Sequence, residues 1–305
     1  MNNTPSSHLS LSRRTLLAGA LGGAAVLNSG CTTSSRSALL EEDPQWRITN
    51  GRINQSVVSW CFKPMETEEL AKACAAIGYK SIELADPKFW PMLKSLGMTC
   101  AIAGSHGFVK GFNHIENHAM CIEKVSERIK QAADFGCPNV ICFSGMREGI
   151  SDEEGIKNCV AGIKQVMKLA EEKKVTLCME VLNSRVNENM KGHPDYQADR
   201  IEFAVEICKQ VGSPRMKILF DIYHTQIMQG DIVTRIKQFH EYIGHYHTAG
   251  VPGRAELDDT QEINYPAVMK AILATGYTGF VGQEFIPTWP DKIKALRHAA
   301  RVCDV

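Results

Sequence analysis

The stretch Val175-Thr176-Leu177-Cys178-Met179-Glu180-Val181-Leu182-Asn183 ends an apolar run on a carboxylate, directly after a long amphipathic segment, Asp152–Lys173. A charge at the end of a buried strand is costly unless something compensates it. The layout recurs at Lys217-Ile218-Leu219-Phe220-Asp221 and at Phe280-Val281-Gly282-Gln283-Glu284, and Gly244-His245-Tyr246-His247-Thr248 carries imidazoles in the same place. From 180 to 221, 221 to 247 and 247 to 284 the steps are 41, 26 and 37 residues, about one strand–helix unit each.

Working outward, the same rhythm fills the chain from about residue 51. Strands are expected at Ile53–Trp60, Ser81–Ala85, Thr99–Gly104, Asn139–Ser144, Thr176–Val181, Lys217–Ile222, Gly244–Thr248 and Phe280–Glu284. Between them lie helical patterns at Thr67–Ile77, Asn117–Phe135, Asp152–Lys173, Asp199–Val211, Asp231–Phe239, Tyr265–Thr275 and Asp291–Val302. Gly78, Gly97, Gly136, Gly212, Gly244 and Gly276 each follow a helical run and precede a strand, where a helix C-cap favours glycine. Eight such units predict an α/β fold, a single-domain (β/α)8 TIM barrel over residues 51–305. An open doubly wound sheet would carry a glycine-rich loop after its first strand, and Ser59-Trp60-Cys61-Phe62 is not one.

The 305 residues hold 34 Lys+Arg and 34 Asp+Glu, so the chain lacks the basic excess that coating nucleic acid demands. The 11 cysteines form no CxxC pair, which speaks against zinc ribbons and thioredoxin-type sites. Most lie in apolar runs (Cys74, Cys100, Cys142, Cys178, Cys208) and are expected to be buried thiols.

Before the barrel, Ser12-Arg13-Arg14-Thr15-Leu16-Leu17 leads into a short Ala/Gly/Leu run, and no acidic residue precedes Glu41. Residues 1–30 are therefore expected to be a twin-arginine-type export signal, too short in its apolar part to span a bilayer. Leu27-Asn28-Ser29-Gly30-Cys31 approximates a lipoprotein cleavage box, with Asn28 where Leu is usual. Lipidation of Cys31 and ordinary cleavage nearby both stay open. Residues 31–50 are expected to be a tether. The expected location is periplasmic or extracytoplasmic, with membrane contact only through the signal or a lipid anchor.

In a barrel of this kind the carboxyl ends of the strands face one mouth. Glu180, Asp221, His247 and Glu284 would meet there from four consecutive strands. Three carboxylates and an imidazole at one point call for a cation. Oxygen-rich donors with one nitrogen suit Mn²⁺, Mg²⁺ or Co²⁺, with Zn²⁺ less natural. Any one of these acids alone is as readily explained by a rim Lys or Arg; four at one strand position are not. His224, three residues past Asp221, is close enough to reach a bound ligand, Arg254 follows the turn Val251-Pro252-Gly253, and His106 lies beyond the third strand. All three are expected to bind substrate, with a plain surface histidine as the alternative reading of His106. Glu83, ending the second strand, is either a support for a site group or a structural ion pair. His114, His118 and His240 are expected at the surface.

The segment His245-Tyr246-His247-Thr248-Ala249-Gly250-Val251-Pro252-Gly253-Arg254-Ala255-Glu256, with Glu262-Ile263-Asn264-Tyr265-Pro266, Glu180–Asn183, Phe220–His224 and Gly282–Phe285, resembles the hydroxypyruvate isomerase branch of the xylose isomerase-like barrels. The resemblance spans roughly residues 52–300. It implies a divalent metal on Glu180, Asp221, His247 and Glu284, with Glu180 and Glu284 as the catalytic acid/base pair and His224 and Arg254 on the substrate. The activity implied is metal-dependent isomerisation of small α-hydroxy-carbonyl compounds through an enediolate, the partner being a small sugar or 2-oxo acid. The His-x-His pattern at 245–247 is closer to the ketose 3-epimerases of the same superfamily, where that branch often carries Gln. A 3-epimerase, or a lyase or hydrolase acting on oxidised sugars, therefore stays open, as do a non-catalytic sugar-binding barrel and homo-oligomerisation. An endonuclease IV-type enzyme would need more His at the mouth and a basic face.

Overall fold

The computed structural model describes residues 43–305. The export signal, Cys31 and most of the expected tether lie outside the described residues. The elements in chain order are β1 (Asn54–Val58), α1 (Thr67–Ile77), β2 (Ser81–Glu83), α2 (Trp90–Ser95), β3 (Ile102–Ala103), α3 (His118–Phe135), β4 (Asn139–Cys142), α4 (Asp152–Lys173), β5 (Thr176–Glu180), α5 (Ile201–Val211), β6 (Met216–Asp221), α6 (Ile222–Met228), α7 (Ile232–Phe239), β7 (Ile243–Thr248), α8 (Tyr265–Ala274), β8 (Phe280–Gln283) and α9 (Lys292–Cys303). Eight parallel strands run in the order β2-β1-β8-β7-β6-β5-β4-β3. The ring closes between β2 and β3 by a parallel bridge, Ser81 to Thr99, and by the Leu84 N–H donating to the Ile102 carbonyl at 3.0 Å. This is the TIM barrel that the strand–helix rhythm predicts.

Helices form where the expected apolar stripes lie. On α4, Cys159, Ile163, Val166, Met167 and Ala170 are buried at three- and four-residue spacing. The Ser151 hydroxyl accepts from the Glu154 N–H at 3.2 Å, and Asp152, Glu153 and Glu154 fill the first turn, complementing the exposed N–H groups there. Gly78 ends α1 in the left-handed region at φ 104°, as a C-cap requires. Gly244 does not cap a helix. It lies inside β7, where an added Cβ would stand 2.8 Å from Lys217 Cβ and 2.9 Å from Cys178 Sγ, so close strand packing selects glycine there.

Most expected strand boundaries shift by one to three residues. β3 shrinks to two residues because residues 99–101 contribute only bridge contacts. β6 stops at Asp221, whose side chain accepts from the His224 N–H at 3.0 Å and so starts α6, which hides among the β-branched and aromatic residues after it. Glu284 stands one residue past β8. Among the described residues no helix is long and apolar enough to cross a membrane.

The last part of the expected tether is fastened to the barrel. The Asp304 carboxylate, just past α9, accepts from the N–H groups of Thr49, Asn50 and Gly51 at 2.8, 3.0 and 3.0 Å. Ile48 N–H donates to the Ile77 carbonyl at 2.9 Å, and the Arg301 guanidinium lies 5.0 Å from the Trp46 ring centre. Chain entry and chain end thus meet at the start of the strands, the pole opposite the mouth.

Candidate active site

On β7 the period-two alternation sends Tyr246 outward, against Phe220 and Tyr277, and turns His245 and His247 into the barrel. Both imidazoles are buried, and both reach Glu83 from β2. His245 Nε2 lies 2.9 Å and His247 Nε2 2.8 Å from Glu83 Oε2, and Ser56 Oγ also donates to that carboxylate. Burial pushes the Glu83 carboxyl up, but the two imidazoles outweigh it and hold its pKa at about 2. Glu83 is therefore a support for a site group.

A carboxylate on Nε2 fixes the proton there, so His247 presents its Nδ1 lone pair to the mouth. That Nδ1 stands 2.8 Å from Glu284 Oε2 and 3.5 Å from Glu180 Oε1. One ligand atom from each of Glu180, Asp221, His247 and Glu284 lies within 4.8 Å of all the others, and all four residues are buried. Neither His247 Nδ1 nor Glu180 Oε1 has a hydrogen-bond partner among the described residues. A lone pair facing a carboxylate oxygen at van der Waals range or closer is repulsive unless a cation or proton lies between them.

The charges agree. Burial, then the neighbouring Glu284, push the carboxyls of Glu180 and Asp221 up. Burial alone would raise Glu284 too, but Arg254 and His247 hold it well below its usual range. Burial lowers His247, yet Glu284, Glu180 and Glu83 together drive it well above. The cluster thus takes up protons where no other cation compensates three acids. A divalent ion would replace those protons and would use both orphaned atoms, so the residues fit one. Among the donors three are carboxylates and one is imidazole, a set that hard or borderline cations accept.

Arg254 reaches the same point. It is buried, Nη2 donates to Glu284 Oε2 at 2.6 Å and lies 3.7 Å from Asp221 Oδ2, and Nη1 donates to the Met190 carbonyl. The guanidinium carbon is 5.2 Å from the Trp60 ring centre and 5.6 Å from that of Tyr223.

His224 stands beside the cluster, its Nε2 3.7 Å from Asp221 Oδ2. Its tautomer follows from Asn183. That side chain's Oδ1 accepts from the Val186 N–H and its Nδ2 donates to the Lys191 carbonyl, which fixes the amide orientation. Asn183 Nδ2 and the Asn183 backbone N–H both donate to His224 Nδ1, at 2.6 and 3.1 Å. The proton of His224 is then on Nε2, a buried donor without a partner among the described residues. Burial and Arg254 keep the ring neutral.

His106 takes the opposite tautomer. Its Nδ1 faces the carbonyls of Gly107 and Lys110 at 3.1 and 3.2 Å, which only accept, so Nδ1 carries the proton and the buried, unpartnered Nε2 is an acceptor. It lies against Phe112 and Phe143, with ring centres 5.3 and 5.8 Å away.

His193 was not anticipated. It sits in the irregular segment between β5 and α5, where no periodicity marks it; the one signal is Lys191-Gly192-His193-Pro194, a turn after a strand that ends on a site residue. Its ring is 4.2 Å from Phe108 and 5.9 Å from His224, centre to centre. His118, expected at the surface, is buried, with Nε2 2.9 Å from the Phe112 carbonyl, and His114 is largely covered; His240 is exposed as expected.

A family model described as the xylose isomerase-like TIM barrel matches residues 71–303. A putative hydroxypyruvate isomerase of Homo sapiens is 30% identical over 54% of this chain and 60% of its own length. A 2-oxo-tetronate isomerase of Cupriavidus necator is 38% identical over 37% of this chain and 41% of its own. The chain thus spans roughly half the length of these two relatives. The crystal structure of an AP endonuclease, family 2, from Brucella melitensis superposes with a TM-score of 0.69 at 23% identity, covering 80% of this chain and 97% of that one, a likeness of fold alone.

Proposed function

The chain belongs to the xylose isomerase-like TIM barrel family, and from that membership and the geometry of its mouth we propose that it is a metal-dependent isomerase of small α-hydroxy-carbonyl compounds. One observation carries the reading: Glu180, Asp221, His247 and Glu284 converge from consecutive strand ends, with His247 Nδ1 and Glu180 Oε1 turned inward and unpartnered. The naming of both relatives as isomerases supports it.

These four residues would hold the metal, of which Mn²⁺, Mg²⁺ and Co²⁺ suit the donor set best. When bound, such an ion supplies Lewis acidity toward substrate oxygens. The chain's own groups supply the proton chemistry. Glu180 and Glu284 come from strands separated by β6 and β7, so they address a substrate from two sides. One takes the proton from the carbon beside the carbonyl and the other, or the same one, returns it at the new position. The His224 Nε2–H donates to the oxygen on which negative charge develops, and Arg254 adds fixed positive charge there. Phe62, just past β1, and Phe285, just past β8, pack edge to face with ring centres 5.6 Å apart.

The test is solvent exchange in deuterated water with Mn²⁺ across small ketoses, aldoses and 2-oxo acids, with product identification to separate isomerisation from 3-epimerisation. Deuterium should enter beside a carbonyl in the wild type. Glu180→Gln and Glu284→Gln should each cut turnover by about 10²-fold or more while circular dichroism stays native. Near-full activity in both variants would remove the acid/base assignment. We also propose that residues 1–30 direct export, so that the barrel works outside the cytoplasm; fractionation of a producing cell checks this, and the mass of the mature chain decides whether Cys31 carries lipid.

A further inference from the structure

Glu256 is a buried carboxylate that the proton chemistry does not use. It stands two residues past Arg254 on the loop after β7, and that loop lies against the segment leaving β8 through alternate residues of both. Arg254 Nη2 donates to Glu284 Oε2 at 2.6 Å, and the Ile286 N–H donates to the Arg254 carbonyl at 2.7 Å. Next along, Glu256 Oε1 accepts from the N–H groups of Thr288 and Trp289 at 2.7 and 2.8 Å, and Oε2 accepts from Thr288 Oγ1 at 2.8 Å. All three donors are neutral, and together they replace the water that burial removes from this carboxylate.

The turn that carries Arg254 needs such a clamp. Arg254 holds a left-handed backbone at φ 56°, next to Gly253 at φ 92°, and a residue with a long side chain keeps that conformation only where its surroundings impose it. Within the loop, the Gly250 N–H donates to the Ala255 carbonyl and the Glu262 N–H to the Val251 carbonyl, each at 2.8 Å. From the neighbouring segment, the Ile286 N–H and the three donors to Glu256 hold it from the other side. At the end of the side chain, Arg254 Nε is a buried donor without a partner among the described residues, so the guanidinium keeps one N–H uncommitted. A turn displaced by about 1 Å would take Nη2 out of hydrogen-bonding range of Glu284 and carry Nε with it. We propose that Glu256 is a positioning residue for the reaction. It clamps the loop after β7 to the segment after β8, sets where the Arg254 guanidinium stands relative to Glu284, and acts through hydrogen bonds rather than charge. Its kinetic consequence rests on the isomerase reading above; its structural consequence rests on the hydrogen bonds alone.

The experiment measures kcat and KM of the Mn²⁺-loaded protein on the compound that the wild type exchanges fastest, well below the Tm of every variant. Glu256→Ala should lower kcat about tenfold or more while KM moves by less than about threefold, because Arg254 serves charge that develops in the transition state. Glu256→Gln should stay within about threefold of wild type, since its amide oxygen accepts from the two N–H groups and its amide nitrogen donates to Thr288 Oγ1. In an Arg254→Met background, Glu256→Ala should cost less than about twofold, because the group it positions is gone. A lowered Tm with wild-type kcat, a Gln variant as slow as the Ala variant, or a full further loss in the Arg254→Met background each overturns the proposal. If the wild type exchanges no compound, the isomerase reading fails and the clamp is read without turnover. In Mg²⁺-loaded protein carrying isotope-labelled arginine, the Arg254 Nε–H magnetic resonance signal is the one that Arg254→Met lacks. That signal should stay in place in Glu256→Gln and shift or vanish in Glu256→Ala; an unmoved signal in Glu256→Ala overturns the proposal. If Glu256→Ala does not fold, by near-ultraviolet circular dichroism, Glu256→Asp replaces it, keeping the charge on a side chain one methylene shorter. It should lower kcat about threefold or more and move the same signal; wild-type kcat with an unmoved signal overturns the proposal.

Discussion

Glu83 shows what a single buried carboxylate can organise. Its partners come from β1 and β7, and it decides which nitrogen of His247 faces the mouth. Its place at a strand end was legible in the sequence, but the choice between a support and a structural ion pair was not, because His247 lies 164 residues away and only barrel closure brings the two together. Supports of this type commonly change metal affinity by 10–100-fold. Glu83→Gln should therefore weaken Mn²⁺ binding by about that factor in a chelator competition, with Tm reported alongside. Unchanged affinity would show that the tautomer of His247 is set some other way. Glu180, Asp221 and Glu284 were readable because each closes an apolar run, and His247 because it stands at the same place on its strand; His193 does neither.

Among the elements, β8 is constrained by what it must avoid. Gly282 pairs with Ser56 on β1 and His247 on β7, and an added Cβ there would lie 2.7 Å from both Glu83 carboxylate oxygens. The glycine makes room for the Glu83 carboxylate that supports His247, two strands away from it in the ladder. Gly282→Ala should cost about 1–3 kcal/mol in denaturant unfolding, as overpacking does, and should lower Mn²⁺ affinity in the same direction as Glu83→Gln. A variant that lost stability and kept affinity would separate packing from ligand orientation. The helices were read closely from their caps and stripes, α1 and α4 to the residue. The short α2 and α6 were not, since α2 carries proline within its first two positions and α6 is only seven residues long and is started by the Asp221 cap.

For the molecule as a whole, two properties follow from how its ends and thiols are buried. Burial raises the Asp304 carboxyl, but the N–H groups of Asn50, Thr49 and Gly51 more than offset this and hold it below its ordinary 3.8. A folded pKa below the unfolded one means the stabilisation is complete above 3.8 and is lost as pH falls through the folded value. The Tm gap between wild type and Asp304→Asn should therefore be widest near neutral pH and close in acid; a gap that grew in acid would contradict the clamp. All ten described cysteines are buried and unpaired, and burial raises the thiols of Cys61, Cys74, Cys142 and Cys159, among others. A thiol reagent at neutral pH should find these ten silent in the native protein and reactive after denaturation; early labelling of any of them, mapped by peptide mass, would count against the packing.

The clamp at Asp304 also gives the barrel a handle. Residues 49–51 join it beside the beginnings of the strands, whereas Glu180, Asp221, His247 and Glu284 crowd their finishes. Coupling at residues 43–51 would graft the molecule by its blind pole. Every copy in such a layer would turn the cluster of Glu180, Asp221, His247 and Glu284 toward the flowing solution, and crowding between neighbours would fall on the outer helices.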